Sequence, residues 1–414
     1  MAGVRREWAA RIRTARKARG WDKPEMARRL AQAAGESRSG LPDHETLLGY
    51  VKRWERAAVG ISERYRMLYA RALSTDEDEL FGAQPFAAPV DEPAIIGASE
   101  PLAGSASGRI GVQDVDEFHR AIQQLYSIDD QYGGGRLRDP ALRLLRGVQH
   151  LLDEGTYTER IGTTLRSAAG HVSELAGWAF FDSGDQERAR RHYLEALFAA
   201  HVAQDHRLAT LTLSSMSTQA YYQRRPQEAL NLISAAEASA RGWATPRVRA
   251  MLALREAVSY AAMRDRSGFS NAIARARWEH ADEIETADPH WVQWLTESEL
   301  TVQESSCFMD LGEARDLDRA EMLLSEALED VIGPYQRNRT LYVTWLAAIR
   351  YRRGDVNGAA KTGIQALGLH STVSSARGVA HLQALRDHLG AHSGNTVVRE
   401  FLEGCRERSA GSNG

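Results

Sequence analysis

The sequence is poor in cysteine and in long apolar runs. Its 414 residues contain two cysteines, Cys307 and Cys405, which lie far apart and outside any CxxC or Cys/His pattern. Two inert thiols fit this arrangement better than a disulfide, a metal site or a nucleophile. No apolar stretch approaches the roughly 20 residues that a membrane-spanning helix needs. We therefore expect a protein that does not enter the membrane.

Signals for secretion and for catalysis are missing as well. Residues 1–13, MAGVRREWAARIR, carry charges every few positions and lack the apolar segment of a secretory signal, so we expect a cytoplasmic protein. The sequence has no HExxH, GxSxG or Walker A motif, no paired-carboxylate motif and no His/Cys cluster. The glycines at 133–135 are more simply a loop than a phosphate cradle. We expect neither an enzyme nor a bound cofactor or metal.

Lysine is also scarce, and most lysines lie in a basic N-terminal segment that differs in net charge from the rest of the chain. The chain has four lysines, and three of them, Lys17, Lys23 and Lys52, lie within residues 1–73. That segment has 17 basic and 8 acidic side chains, a net charge of +9, whereas the rest has 35 basic and 47 acidic ones, a net charge of −12. A compact basic segment is typical of a nucleic-acid binder, although a site for an acidic protein partner would carry the same charge.

The clearest local pattern lies in residues 43–56, DHETLLGYVKRWER. Leu47, Val51 and Trp54 recur at helical spacing and so share one face, and Asp43 is a plausible N-cap. The other faces carry hydrogen-bonding and basic side chains, namely Tyr50, Lys52, Arg53 and Arg56. Such a helix suits the DNA major groove, although an ordinary amphipathic surface helix would have the same pattern.

Helices are predicted on either side of this stretch. We expect one over residues 4–19 that ends at Gly20, and another that starts from a D-x-x-E capping box at Asp22 and runs to about residue 33. A further helix is expected over residues 62–73. The apolar pair at 80–81 is predicted to close the small core.

Three segments and a closing motif carry a family resemblance. They are Ile12…Arg16…Arg19-Gly20, then Pro24-Glu25-Met26-Ala27-x-x-Leu30, then Val51-Lys52-Arg53-Trp54-Glu55-Arg56, and finally Asp78-Glu79-Leu80-Phe81. These residues resemble the Cro/cI-type (XRE) helix-turn-helix of bacterial repressors. In that family the second helix crosses the DNA backbone and the third lies in the major groove. The chain departs from the pattern in a longer loop before the third helix and in Ala57, where a glycine is usual.

The resemblance implies which residues touch double-stranded DNA. Arg53 is the first candidate for reading a base, because a guanidinium matches O6 and N7 of guanine. The same face would present Thr46, Gly49, Tyr50, Lys52 and Arg56. Phosphates would be held by Arg16, Lys17, Lys23 and Arg28. The alternative for each charged residue is a solvated surface charge.

The remainder of the chain divides into a linker, a helical body and a tail. Residues 82–111 are rich in Ala, Pro, Gly and Ser and predict a flexible linker after a DNA-binding domain at 1–81. From residue 112 to 408 the pattern is helical throughout. Residues 409–414 are expected to form a disordered tail. The predicted fold class is all-α.

A repeated pattern organises the body. The best copy is Leu175-Ala176-Gly177-x-x-Phe180-x-x-x-Gly184-Asp185-x-x-x-Ala189-x-x-x-Tyr193-x-x-Ala196-Leu197. It resembles the tetratricopeptide (TPR) repeat, and weaker copies recur with a period of about 40 residues against the usual 34 or so. Thr245-Pro246, Asp288-Pro289 and Gly333-Pro334 are predicted to start first helices. We expect six or seven helix pairs, and hence a small helix-turn-helix bundle followed by a TPR-like α-solenoid.

Such an array has a concave groove lined by its first helices. The groove candidates are the aromatic and amide side chains predicted on those helices, namely Trp178, Phe181, Gln219, Tyr222, Trp291, Trp294, Tyr342 and Trp345. They would bind a peptide, a small molecule or a protein. The alternative is that these aromatics fill the core between repeats.

Two function hypotheses remain open. The combination resembles the peptide-sensing and the actinobacterial TPR-containing regulators, which implies a homodimeric, sequence-specific transcriptional regulator switched by a ligand. The arginine-rich, lysine-poor composition favours the second group. The other hypothesis is a TPR scaffold that binds protein partners, with weak or no specific DNA binding.

Overall fold

The structure, a computed structural model, describes residues 2–19, 21–34, 42–56, 59, 61–73, 75, 80–81, 109–132, 134–280, 287–330, 336–369 and 376–411. Within these ranges the regular elements are α-helices and two short 3-10 helices, with one isolated bridge between Arg109 and Thr156. The prediction of an all-α fold is therefore confirmed. The described residues form two compact units, one up to Phe81 and one from Arg109 onward. The predicted linker lies outside the described residues except for positions 109–111.

Four helices of the first unit lie within the described residues, and Leu80 and Phe81 are helical as well. The four are α1 (Ala2–Ala18), α2 (Lys23–Ala33), α3 (His44–Glu55) and α4 (Glu63–Leu73). The Asp22 carboxylate accepts a hydrogen bond from the Glu25 amide at 2.7 Å, and the Asp43 carboxylate accepts one from the Thr46 amide at 2.8 Å. Each aspartate satisfies an amide that the first turn leaves free, so both predicted caps begin their helices.

The core of this unit forms where the apolar faces of α1 to α4 meet. Leu47, Val51 and Trp54 are buried there, as their spacing predicted. Leu80 and Phe81 are also buried, and the Phe81 ring lies 5.6 Å from that of Trp8 in an edge-to-face contact. The predicted role of this closing pair is confirmed.

The second unit is built from consecutive helix pairs. Its helices are α5 (Val112–Tyr132), α6 (Gly134–Glu154), α7 (Glu159–Asp182), α8 (Gln186–Ala203), α9 (His206–Tyr222), α10 (Pro226–Ala240), α11 (Pro246–Ala262), α12 (Arg266–Glu279), α13 (Glu297–Leu311), α14 (Ala314–Asp330), α15 (Gln336–Arg352), α16 (Val356–Leu369), α17 (Ala376–Leu389) and α18 (Thr396–Gly411). Most pack mainly on their neighbours in sequence, which is solenoid-like packing, whereas α17 packs mainly on α15 and α18 mainly on α16. Seven pairs result, within the predicted number, and α18 extends past residue 408. None of the described helices is both long and apolar enough to cross a membrane.

The same turn joins the two helices of four pairs. Its central residue has positive φ, at Gly184 (89°), Arg224 (60°), Arg264 (59°) and Gly354 (87°). In every copy the next amide donates to the carbonyl five residues earlier at 2.9–3.0 Å, as the Asp185 amide does to Phe180. The first three copies are 40 residues apart, which is the period that the sequence predicted.

The predicted starts of first helices had different outcomes. Thr245 caps α11, and Pro246 occupies its first turn, as expected. The start predicted at Asp288-Pro289 is wrong: that pair precedes the 3-10 helix His290–Val292, and α13 begins later, capped by Thr296. The pair at 333–334 lies outside the described residues.

Candidate functional site

The outward face of α3 collects the side chains predicted to meet DNA. Thr46, Lys52, Arg53 and Arg56 are exposed there. Gly49 lies on this face, and a Cβ placed there would meet no described atom from outside the local helix backbone within 4 Å. The face therefore presents basic and hydroxyl groups around a stretch of bare helical backbone.

A stack of aromatic rings supports this face. The guanidinium carbon of Arg53 lies 5.0 Å from the centre of the Tyr50 ring, within range of a cation–π interaction. The Tyr50 ring in turn contacts Trp54 at 5.5 Å and Tyr65 at 5.9 Å. Tyr50 is thus half-buried, and its ring supports the Arg53 side chain. This contact reduces the rotamer freedom that Arg53 would lose on binding.

The structure corrects the prediction that Arg16 contacts a phosphate. Its side chain is 6% exposed, and its guanidinium donates to both carboxylate oxygens of Glu55, with Nη2 to Oε2 at 2.8 Å. This hydrogen-bonded pair raises the pKa of Arg16. A guanidinium held inside the unit by a buried carboxylate cannot reach a phosphate, so Arg16 ties α1 to the end of α3.

The other predicted phosphate contacts differ in exposure. Lys17 is exposed and Lys23 is half-buried. Arg28 is exposed and forms an ion pair with Glu25 on its own helix. Exposed pairs of this kind are weak, so Arg28 can exchange this partner for a phosphate.

In the second unit, five predicted groove residues are buried in the core. Phe181, Trp291, Tyr342 and Trp345 are at most 8% exposed, and Gln219 is fully buried. The Gln219 amide donates to the Gln186 carbonyl at 2.7 Å. Their assignment to an open groove is therefore corrected, because close packing of the helices encloses these side chains. The alternative of inter-repeat core fits them.

The other three predicted groove residues keep accessible surface. Trp178, Tyr222 and Trp294 are half-buried. Arg377 of α17 lies over Trp178 and Tyr222, with its guanidinium carbon 5.4 and 5.5 Å from the ring centres. It also forms an ion pair at 2.7 Å with Asp182, which is fully buried at the end of α7. We call Trp178, Phe181, Asp182, Tyr222 and Arg377 the Arg377 cluster.

A second arginine, Arg255 of α11, lies beside this cluster. Its guanidinium carbon is 5.2 Å from the centre of the Trp294 ring. The charges of Glu299 and Arg377 both act on it. Tyr342 of α15 donates a hydrogen bond to Glu299 at 2.5 Å. First helices along much of the array thus contribute polar side chains to one shared interior.

Sequence reasoning missed Asp182, Arg255 and Arg377. A charged residue inside a helical pattern has no local mark that separates an inward position from a solvated one. A usable signal in the sequence was the position of Asp182, which directly follows the apolar stretch of α7. In the structure this residue is buried.

A carboxyl group in the same interior titrates near neutral pH. Burial raises the pKa of Glu174 to about 7, although the Ser215 hydroxyl donates to it at 2.6 Å. Burial also raises the pKa of Tyr126 and of Tyr193, and both hydroxyls are subject to the charge of Glu174. The interior therefore holds ionisable groups with little water around them.

The two cysteines lie in different surroundings. Cys307 is buried, which raises the pKa of its thiol, and Cys405 is half-buried. Among the described residues, no group of three or more His, Cys, Asp or Glu side chains is placed to hold a metal ion.

The chain matches no protein-family model, and no curated protein matches it.

Proposed function

We propose that this chain is a homodimeric, sequence-specific transcriptional regulator of the Cro/cI (XRE) helix-turn-helix type. The observation that carries the proposal is the outward face of α3, where Lys52 and Arg53 surround the bare backbone at Gly49. The net charge of +9 over residues 1–73 gives the unit a general attraction to phosphates. Arg53 then reads a base, and Lys17, Lys23 and Arg28 position the helix on the backbone.

The proposed regulation acts through the helical body. A peptide, small-molecule or protein ligand binds one arrangement of the second unit better than another. It thereby shifts the dimer between states of high and low DNA affinity by its differential affinity for them.

The first experiment is selection of the full-length protein against random duplex DNA, followed by titration of the enriched sequence at several salt concentrations. We expect an inverted repeat with half-sites about one helical turn apart, because a two-fold dimer presents two reading helices. A steep salt dependence without an enriched sequence would contradict the proposal, since it would mean that phosphates alone are bound.

Variants then test the assignment of the reading helix. Arg53→Ala should weaken binding to the selected sequence by about 1–3 kcal/mol and relax its preference at one position. Lys23→Ala should weaken all sequences evenly and reduce the salt slope by about one. Arg146→Ala, an exposed arginine of α6, is the matched control and should change neither. Undiminished specific binding by Arg53→Ala would show that α3 does not read the DNA.

A further inference from the structure

Orphaned polar atoms gather in the interior of the second unit. Buried atoms without a hydrogen-bond partner include the hydroxyls of Tyr126 and Tyr193, Oε1 of Gln219 and Gln223, and Nε of Arg255. Such atoms are few in native proteins, and each one usually has an explanation, such as a water or a bound ligand. An occupant beside any of these atoms would complete a hydrogen bond that the protein leaves open.

Charge interactions link three of these side chains, Tyr126, Tyr193 and Arg255, to Glu174 or Arg377. Tyr126 and Tyr193 both lie in the field of Glu174, and Tyr193 also lies in that of Arg377. The charge of Arg377 acts on Arg255 as well. Arg377 is therefore within electrostatic range of both the Tyr193 hydroxyl and the Arg255 guanidinium.

Arg255 differs from the other enclosed arginines of the described chain. Arg16 pairs with Glu55, Arg247 with Asp288 at 3.2 Å, and Arg377 with Asp182. For the Arg255 guanidinium, no hydrogen bond or ion pair occurs with any residue that the structure describes. The carboxylate whose charge acts on it, Glu299, already accepts from Tyr342 and from Gln303.

Arg255 is not sealed in solid core. Burial lowers the pKa of Arg255, and its Nε atom is buried. Its side chain nevertheless keeps accessible surface, as do those of Trp294 and Tyr222. A desolvated cation whose Nε has no partner strongly favours an anion.

We propose that Arg255 binds the carboxylate or phosphate group of a small ligand whose flat apolar part lies against Trp294 and Tyr222. Guanidinium N–H groups match either anion in a two-pronged arrangement, and the rings supply flat apolar contact. The role of this anion as the regulatory ligand of the repeat body rests on the proposed function. The existence of the binding site does not depend on DNA binding.

The test is calorimetric titration of the full-length protein with three probes: indole-3-acetate, phenyl phosphate and the neutral indole-3-acetamide. At least one anion should bind, and the two anions separate a carboxylate from a phosphate site. If the carboxylate is preferred, the amide, which has nearly the same shape, should bind at least tenfold more weakly. Arg255→Gln should weaken the anion at least tenfold.

A matched control and a stability measurement keep the result interpretable. Arg207 also stacks on a tryptophan, with its guanidinium carbon 5.3 Å from the Trp243 ring centre, but it is exposed, so Arg207→Gln should bind the probe normally. Arg255→Gln removes a desolvated charge, so its melting temperature without probe should equal or exceed that of the parent protein.

The proposal is overturned if neither anion binds, if the amide binds as well as indole-3-acetate, or if Arg255→Gln binds as the parent does. Binding is measured without DNA, so it does not depend on the regulator hypothesis. Failure of the protein to select a DNA sequence would contradict the proposed function and leave the anion site in place.

Discussion

At the scale of single residues, Gly49 is the most informative position of α3. Glycine inside a helix destabilises it by about 0.5–1 kcal/mol relative to alanine. A Cβ at Gly49 would meet nothing within 4 Å among the described neighbouring residues, so crowding inside the unit does not explain the glycine. On the proposed function, the glycine lets DNA approach the helix backbone closely.

Gly49→Ala should therefore separate stability from binding. We expect it to raise the free energy of unfolding of the first unit by about 0.5–1 kcal/mol and to weaken binding to the selected DNA, because the methyl group separates the surfaces. Chemical denaturation and DNA titration measure the two effects. Gly147→Ala in α6 is the control, since a Cβ at Gly147 also meets nothing, and it should stabilise without changing DNA affinity. Equal DNA affinity for Gly49→Ala would mean that nothing approaches this backbone closely.

Single residues also mark the limit of what the sequence could predict. The exposed positions of Lys52 and Arg53 followed from helical spacing, because both residues fall outside the apolar face that Leu47 and Val51 define. The burial of Arg16 did not follow. Its neighbour Lys17 has the same charge, and the residue that distinguishes them, Glu55, lies 39 positions away in the sequence. A long-range pair of this kind leaves no local pattern.

At the scale of elements, the turn between paired helices combines a prediction with a missed signal. Gly184-Asp185 is part of the repeat pattern quoted from the sequence, and glycine adopts positive φ without strain. The same turn uses Arg224 and Arg264, whose side chains give no such indication. The false start at Asp288-Pro289 has a related cause, because a proline fits the first turn of a 3-10 helix as well as that of an α-helix.

The strain at Arg264 can be measured by comparing two substitutions. Left-handed backbone costs a residue with a Cβ about 1–2 kcal/mol. Arg264→Ala and Arg264→Gly both remove the exposed guanidinium, but only the glycine relieves the backbone. We expect the glycine variant to be more stable than the alanine variant by about 1 kcal/mol in chemical denaturation. Gly184→Ala should lose a similar amount, since φ there is 89°. Equal stability of the two Arg264 variants would show that this turn is unstrained.

At the scale of the whole helical body, contacts between distant helices distinguish this array from an open solenoid. In an open array each repeat contacts only its neighbours, and stability is a sum of local terms. Here Arg377 of α17 pairs with Asp182 of α7, 195 positions earlier. Helix α5 likewise contacts α15, and the Tyr126 ring lies 5.2 Å from that of His290. Period and pair count were predictable from the sequence, whereas this closure depends on how small rotations between repeats accumulate.

Closure predicts that α7 and α17 lose their structure together. Asp182→Ala leaves Arg377 desolvated without its carboxylate, and such a loss typically costs about 3–5 kcal/mol. Native-state hydrogen exchange should then show faster exchange in both helices, although they are far apart in sequence.

Asp318→Ala is the control. It removes an exposed partner of Arg353, so its effect should stay below about 1 kcal/mol. If Asp182→Ala accelerates exchange only in α7, each repeat is stabilised locally and the pair does not close the body. If both helices respond, a ligand that contacts the Arg377 cluster can act on α7 and α17 at once, because the pair of Arg377 and Asp182 joins them.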